Sequence, residues 1–182
     1  FGGMVCGPQA VSYSKGLEQS SEALPSSLFE SEQKKQLAIN EGLLKAKGTE
    51  NPFKLHEEKG NLMTDNVTVI RYNNKLQKTD EELQKLLIRA KQMGLSDRSR
   101  WANPVLPFAR QLQNMIHLAR AIAKGALKRD ESRGAHYKPD FPDRNDEKFL
   151  KTTKALWTPD GPRIEYEEVD TRYIQPRMRK YQ

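Results

Sequence analysis

The chain contains 182 residues, with 31 Lys and Arg against 24 Asp and Glu, so its formal net charge is +7. This length suits one domain or two small ones with a moderate hydrophobic core. No apolar run approaches the roughly 18 residues of a membrane span, which excludes a membrane-spanning helix. The single cysteine, Cys6, excludes a disulfide scaffold and a structural zinc site built from cysteines.

The first residues do not resemble the start of a protein. Phe1 stands where an initiator Met would, and the sequence FGGMVCGP lacks the basic region of a signal peptide. We therefore expect a fragment of a longer polypeptide, whose surplus charge faces a partner or the missing part. A short helix ending at Gly16 is predicted, with Cys6 as a buried, inert thiol, and residues 17–28 are Ser-rich and predict a linker.

Helix signals dominate the next hundred residues. A long helix is predicted over residues 28–47, with two serines placed to cap it and Gly48 after its last turn. Another begins at Pro52, because the preceding asparagine is a capping residue directly before a first-turn proline. A further helix is predicted to start at Thr79, where the sequence T-D-E-E forms a capping box, and to end at Gly94.

The clearest helix is predicted over residues 105–129, where apolar residues recur every three or four positions. At 1.5 Å per residue it forms a rod of roughly 37 Å. Three or four such helices joined by short turns predict an antiparallel bundle. The apolar stripe of this helix contains Leu112, Met115, Ile116, Ala119, Ile122, Ala123, Ala126 and Leu127.

The character of the sequence changes after Asp130. Four prolines exclude long helices beyond about residue 134. Residues 150–158 and 163–169 are compatible with strands, and the Pro-Asp-Gly turn between them predicts a hairpin. The predicted fold is therefore mostly α: a three- to four-helix bundle followed by a small irregular C-terminal domain with a β-hairpin and a basic tail.

No nucleotide-binding, nucleophile-elbow or zinc-protease motif is present in the sequence. The histidines at positions 56, 117 and 136 are far apart, and packing or solvated roles are favoured for the first two. An acidic cluster over residues 140–147 lacks the spacing and the glycine of an EF-hand, which favours a solvated turn. Lys and Arg alternate with Glu and Asp, a pattern that indicates solvated helix faces and not a nucleic-acid site.

One polar stretch, residues 129–146, stands out. A helix ends near Ser132, and Gly134 permits a left-handed turn from which Arg133 and His136 project. Arg133 can bind a carboxylate bidentately in an ion-paired corner, or it can hold a neighbouring domain. Both interpretations are open from the sequence.

This stretch closely resembles the ESRGAH…D-x-P-x-R-x-D signature of the succinate dehydrogenase/fumarate reductase flavoprotein family. Lys138 and Asn145 stand where many members carry Arg and Asp. The resemblance covers all 182 residues. Within the family, the sequence is similar to the Bacillus-type branch. The residues that match are Glu131, Ser132, Arg133, Gly134, Ala135, His136, Asp140, Pro142, Arg144 and Asp146.

The resemblance implies a parent protein that oxidises succinate to fumarate, or runs the reverse reaction, on a covalently held FAD. Its partners would be its own FAD-binding domain, an iron–sulfur subunit and, indirectly, a membrane anchor on the cytoplasmic face of the cell membrane. The family's cofactor and substrate residues precede Phe1, so we assign no catalytic, FAD-binding or metal-binding residue here and expect no FAD in the fragment alone. The implied division is a remnant of the FAD-binding domain over 1–24, a helical domain over 25–129 and a C-terminal domain over 130–182.

Arg133, His136 and Arg144 are the candidate interface or structural residues of this corner. Two alternatives are weighed against this family. L-aspartate oxidase is a relative with a similar corner, but it tends to end differently after residue 150. A helical adaptor with no enzymatic parent is the other, and the truncated start of the chain argues against it.

Overall fold

The computed structural model describes residues 2–177, which divide into two compact units, the first ending at Gly42 and the second beginning at Leu43. The first unit begins with a π-helical turn, Gly2–Cys6, which runs into helix α1, Gly7–Lys15. Gly16 follows the last residue of α1, as predicted. Cys6 is exposed, so the prediction of a buried thiol is wrong: the helices of residues 2–42 bury none of their side chains.

The predicted Ser-rich linker contains one short 3-10 turn, Ser21–Ala23, which the Ser20 hydroxyl caps. Helix α2, Ser26–Lys45, follows and extends into the second unit. It ends three residues before Gly48, which instead lies in close backbone contact with Gly94.

Three helices form the core of the second unit: α3, Pro52–Asn66, α4, Asn73–Ala90, and α5, Val105–Leu127. The start of α3 is confirmed, since the Asn51 side chain accepts hydrogen bonds from the amides of the first turn. The core is aliphatic and close-packed, as amphipathic helices predict. Its buried members include Leu55, Leu83, Leu86, Ala109, Leu112 and Ile116.

The predicted start of α4 is wrong by two turns. The helix begins at Asn73, and Thr79 lies buried in its interior. The reason is tertiary packing: Leu76, in the turn before the capping-box pattern, is fully buried against Val67 and Ala123. Burial of this side chain outweighs the local capping preference.

The C-terminal hairpin is confirmed. A single helical turn, α6, Asp146–Phe149, precedes strands β1, Lys151–Leu156, and β2, Arg163–Glu168, which pair antiparallel. The Tyr166 hydroxyl donates to the Lys128 carbonyl and joins the hairpin to the end of α5. The predicted fold class is therefore confirmed, whereas the basic tail beyond Arg177 lies outside the described residues. Within residues 2–177 no helix combines the length and the apolarity that crossing a membrane requires.

Candidate functional site

The polar stretch identified in the sequence folds around one buried carboxylate, that of Glu131. This side chain is 0% exposed and accepts from Arg129 Nη1 at 2.6 Å. Arg133 approaches it bidentately, with Nε 2.9 Å from Oε1 and Nη2 3.0 Å from Oε2. The Asn145 amide adds a fourth hydrogen bond at 2.9 Å. Two guanidinium groups and a backbone donor thus compensate the cost of burying this charge. We call residues 129–146 the Glu131 corner.

Arg133 and Arg144, two of the predicted site residues, meet at Asp146. Arg133 Nη2 lies 2.6 Å from one carboxylate oxygen, and Arg144 Nη2 lies 2.6 Å from the other. The hydrogen bond from Arg133, followed by that from Arg144, lowers the pKa of Asp146. The hydrogen bond to Glu131 raises the pKa of Arg133. The carboxylates that Arg133 binds therefore belong to this chain.

His136, the third predicted residue, uses both of its ring nitrogens. Nδ1 lies 2.6 Å from Arg71 Nη1, and Nε2 lies 3.0 Å from the Arg129 carbonyl oxygen. Because an arginine only donates, Nδ1 accepts and Nε2 carries the proton that it donates to the carbonyl. Burial, together with the positive charges of Arg71, Lys138 and Arg129, lowers the pKa of His136. The imidazole is therefore held neutral.

A tight turn presents these side chains. Arg133 and His136 exchange two backbone hydrogen bonds, of 2.7 Å and 3.0 Å, around Gly134, whose φ is +60°. The Ser132 hydroxyl donates to the Phe141 carbonyl at 2.8 Å and accepts from the Lys138 amide at 3.0 Å. Gly134 therefore adopts the left-handed conformation that the sequence permits. The two hydrogen bonds of Ser132 hold the loop that follows it.

Lys138 joins the Glu131 corner to the bundle. It is fully buried, and its Nζ donates to the Leu127 carbonyl at 3.1 Å and to Asp130 at 2.9 Å. Asn73, the first residue of α4, donates to the same oxygen of Asp130. Burial lowers the pKa of Lys138. The carbonyl of Leu127, the last residue of α5, is in this way bonded to a cation, as the helix dipole favours.

Sequence reasoning missed Arg71, and it did not foresee that Glu131 and Lys138 are buried. The placement of arginines two residues before and two residues after Glu131 was a usable signal, because both return to that carboxylate. Nothing local marked Arg71, which lies 65 positions before His136. Of the other histidines, His56 packs against the Phe108 ring at a centroid distance of 5.5 Å, as a packing role predicts.

The Glu131 corner is arranged to hold elements together. Its charged groups bond mainly to each other and to backbone carbonyls: Arg129 donates to the carbonyls of Phe149 and Lys151, and Arg144 to that of Arg177. These bonds connect the end of α5 to α6, to β1 and to the start of the tail. In the described part of the chain, no three His, Cys, Asp or Glu side chains are grouped as metal ligands.

Comparison with known proteins gives a consistent result. Residues 56–181 match the family model of the fumarate reductase flavoprotein C-terminal region. The chain is 49% identical to the succinate dehydrogenase flavoprotein subunit of Bacillus subtilis, and the match covers 100% of this chain and 31% of that protein. It is 40% identical to the fumarate reductase flavoprotein subunit of Helicobacter pylori strain J99, over 76% of this chain and 20% of the relative.

The comparison with solved structures agrees with these sequence matches. A structure of quinol–fumarate reductase with menaquinol molecules matches 96% of this chain and 30% of its own, with a TM-score of 0.84 and 27% identity. The Escherichia coli quinol fumarate reductase FrdA with an E245Q mutation matches 91% of this chain and 28% of its own, with a TM-score of 0.76 and 28% identity. The chain thus spans about a third or less of the length of these relatives. It belongs to the family of succinate dehydrogenase and fumarate reductase flavoprotein C-terminal regions.

Proposed function

We propose that this chain is the helical and C-terminal region of a flavoprotein subunit that interconverts succinate and fumarate. The observation that carries the proposal is the 49% identity, along the whole chain, to the B. subtilis succinate dehydrogenase flavoprotein subunit. In this proposal FAD and the dicarboxylate bind to the part of the subunit that the chain does not include. Electrons pass from FAD to an iron–sulfur subunit and then to quinone.

The role of this region is to support the subunit and to dock its partners, without supplying catalytic residues. Residues 1–24 complete the FAD-binding domain, residues 25–129 form the helical domain, and residues 130–182 form the C-terminal domain. The partners are the FAD-binding domain and the iron–sulfur subunit, with indirect attachment through an anchor to the cytoplasmic face of the membrane. The similarity to structures of quinol–fumarate reductase supports this assignment.

Arg133, His136 and Arg144 are positioning residues in this proposal. Arg133 is held by Glu131 and Asp146, so it fixes the C-terminal domain and is not free to transfer protons to a substrate. His136 is locked between a guanidinium and a backbone carbonyl. Their network keeps the hairpin in one orientation on the bundle, and a fixed orientation is what a docking surface requires.

Two experiments test the proposal. In the first, the chain is purified alone and examined for a flavin spectrum and for succinate oxidation with an artificial electron acceptor. We expect neither. A stoichiometric flavin spectrum from the chain alone would contradict the assignment of FAD binding to another part of the subunit.

In the second, the chain replaces the matching 31% of the B. subtilis flavoprotein subunit in a strain that lacks the native subunit. We expect the hybrid to assemble and to restore succinate–quinone reductase activity. The same hybrid with Arg133→Ala should lose assembled complex, whereas Arg163→Ala, at an exposed arginine outside the Glu131 corner, should not. Failure of the unmodified hybrid to assemble would refute the proposed function, and equal assembly of both variants would refute the role of Arg133.

A further inference from the structure

A groove of about 360 Å³ opens between α5 and β1. Its apolar lining includes Leu118 and Ile122 of α5, which are 63% and 45% exposed. Arg71, Arg129 and His136 form its polar part. A concave apolar surface with a few polar groups directed into it has the composition of a binding site.

Two of these polar groups are already engaged within the chain, and the charge of Arg129 is paired with a carboxylate. The Arg129 guanidinium bonds to the Glu131 carboxylate and to the carbonyls of Phe149 and Lys151. His136 uses both ring nitrogens in hydrogen bonds. Neither group therefore requires a further ligand.

Arg71 differs from both. Its Nε donates to the carbonyls of Val67 and Thr68, at 3.2 Å and 2.7 Å, and its Nη1 donates to His136. Every one of these acceptors is neutral. Across residues 2–177 no carboxylate pairs with Arg71, and no hydrogen bond occupies its Nη2. Partial burial lowers the pKa of this guanidinium, and no acidic side chain of the described residues offsets that effect.

We propose that this groove is a docking site for a segment of a partner protein that places an Asp or Glu carboxylate against Arg71. Apolar side chains on either side of that acid would pack on Leu118 and Ile122. The free edge of a guanidinium binds a carboxylate with directional, charge-assisted hydrogen bonds, and an apolar surrounding strengthens them.

The shape of the groove selects a protein segment over a small free acid. Sites for small molecules bury most of the ligand surface. This groove lies open along α5, so Leu118 and Ile122 extend the contact surface beyond the Arg71 guanidinium. Arginine is also one of the residue types at which protein interfaces concentrate their affinity. The proposal rests on the groove alone and holds whichever enzyme the chain serves.

A selection from a random dodecapeptide library tests the proposal directly. The purified chain is the target, and the Arg71→Gln variant is used to remove peptides that do not need the guanidinium. We expect the enriched peptides to share an Asp or Glu flanked by apolar residues. Adding an enriched peptide to the isotope-labelled chain should shift the methyl signals of Leu118 and Ile122.

The variants define the interaction. Arg71→Gln should weaken the affinity for the enriched peptide by at least about tenfold, which is the loss of affinity expected when a charge-assisted hydrogen bond is removed. Ile122→Glu adds a carboxylate to the groove that Arg71 lines, at an exposed position, so it should block peptide binding while leaving the fold intact. Arg163→Gln, at an exposed arginine that does not line the groove, is the matched control and should bind normally.

Three results would overturn the proposal. They are the absence of peptides that depend on Arg71, enriched peptides without an acidic residue, and binding that Ile122→Glu leaves unchanged. A separate titration with propionate distinguishes a free acid from a protein segment. If propionate alone shifts the same methyl signals with an affinity equal to that of the peptide, the groove is a small-acid site and the docking proposal is wrong.

Discussion

Arg120 and Asp80 form a buried ion pair between α5 and α4. Arg120 Nε lies 2.7 Å from Asp80 Oδ1, and the two side chains are only 5% and 10% exposed. Gln84 donates to the other oxygen of Asp80 at 3.1 Å. The guanidinium also lies against Gly161 in the hairpin turn, so α4, α5 and the hairpin meet at one charge pair.

We expect Asp80→Ala to lower the free energy of unfolding by about 3–5 kcal/mol, because it leaves the Arg120 charge buried without a partner. Urea unfolding followed by circular dichroism measures the change. Replacing both residues, Asp80→Leu with Arg120→Met, should recover most of the loss, since no charge then remains buried. Glu82→Ala on the same helix removes only an exposed pair with Lys85 and should change little. Equal losses in Asp80→Ala and Glu82→Ala would contradict the importance of burial.

Gly161→Ala is expected to destabilise the hairpin turn by about 1–3 kcal/mol. The residue has a φ of +124°, which an alanine rarely adopts, and the added methyl would lie 2.8 Å from Arg120 Nη2. Gly60→Ala is the control, because Gly60 lies within α3 and a methyl there meets no atom within 4 Å. The control should raise the stability by about 0.5–1 kcal/mol, which is the helical preference of alanine over glycine. A hairpin unaffected by Gly161→Ala would show that the turn rearranges freely.

Glu131→Gln is expected to cost about 3–5 kcal/mol, because two guanidinium groups then face a neutral amide in a buried position. The loss of stability should be confined to the C-terminal domain. Hydrogen exchange of the Asn145 amide, which bonds to Glu131, should accelerate more than exchange in the interior of α4. Glu147→Gln changes an exposed acid of the same region and provides the control. Uniform acceleration along the chain would indicate that Glu131 contributes to global stability and not to the C-terminal domain in particular.

The fold was largely predictable because its elements carry local signals. The Asn-Pro pair at the start of α3, the apolar stripe of α5 and the Pro-Asp-Gly turn each specify structure within a few residues. The start of α4 was not predictable in this way. The capping pattern at Thr79 is a valid local signal, but long-range burial of Leu76 extends the helix past it.

In the candidate site, too, the local contacts were predictable from the sequence and the long-range contacts were not. The pairing of Arg133 with Glu131 joins residues two positions apart, and the sequence suggested that Arg133 could bind a carboxylate. The contact of His136 with Arg71 and that of Arg120 with Asp80 depend on how helices and loops pack over 65 and 40 positions. Spacing in one sequence does not encode such contacts, so the charged core of the second unit became visible only in the structure.

The stability of the chain is expected to fall as the pH is lowered from about 7.5 to about 5.5. Burial lowers the pKa of His136 below its ordinary value of 6.5, so the unfolded chain binds this proton more readily than the folded chain does. The stabilising contribution of the neutral ring is therefore complete above about pH 6.5 and is lost as the pH falls through the lower pKa of the folded state. Protonation would also place a proton on Nδ1, opposite the Arg71 guanidinium.

Urea unfolding at several pH values measures the slope, and His136→Gln should reduce it, because an amide keeps a donor and an acceptor but does not titrate. Burial also lowers the pKa of His117, so His117→Gln is measured in parallel to separate the two contributions. The carboxyl groups with lowered pKa, such as those of Asp130 and Asp146, titrate below this range and do not contribute to the slope. If His136→Gln and the unmodified chain lose stability equally between these pH values, the neutral state of His136 is not a source of stability.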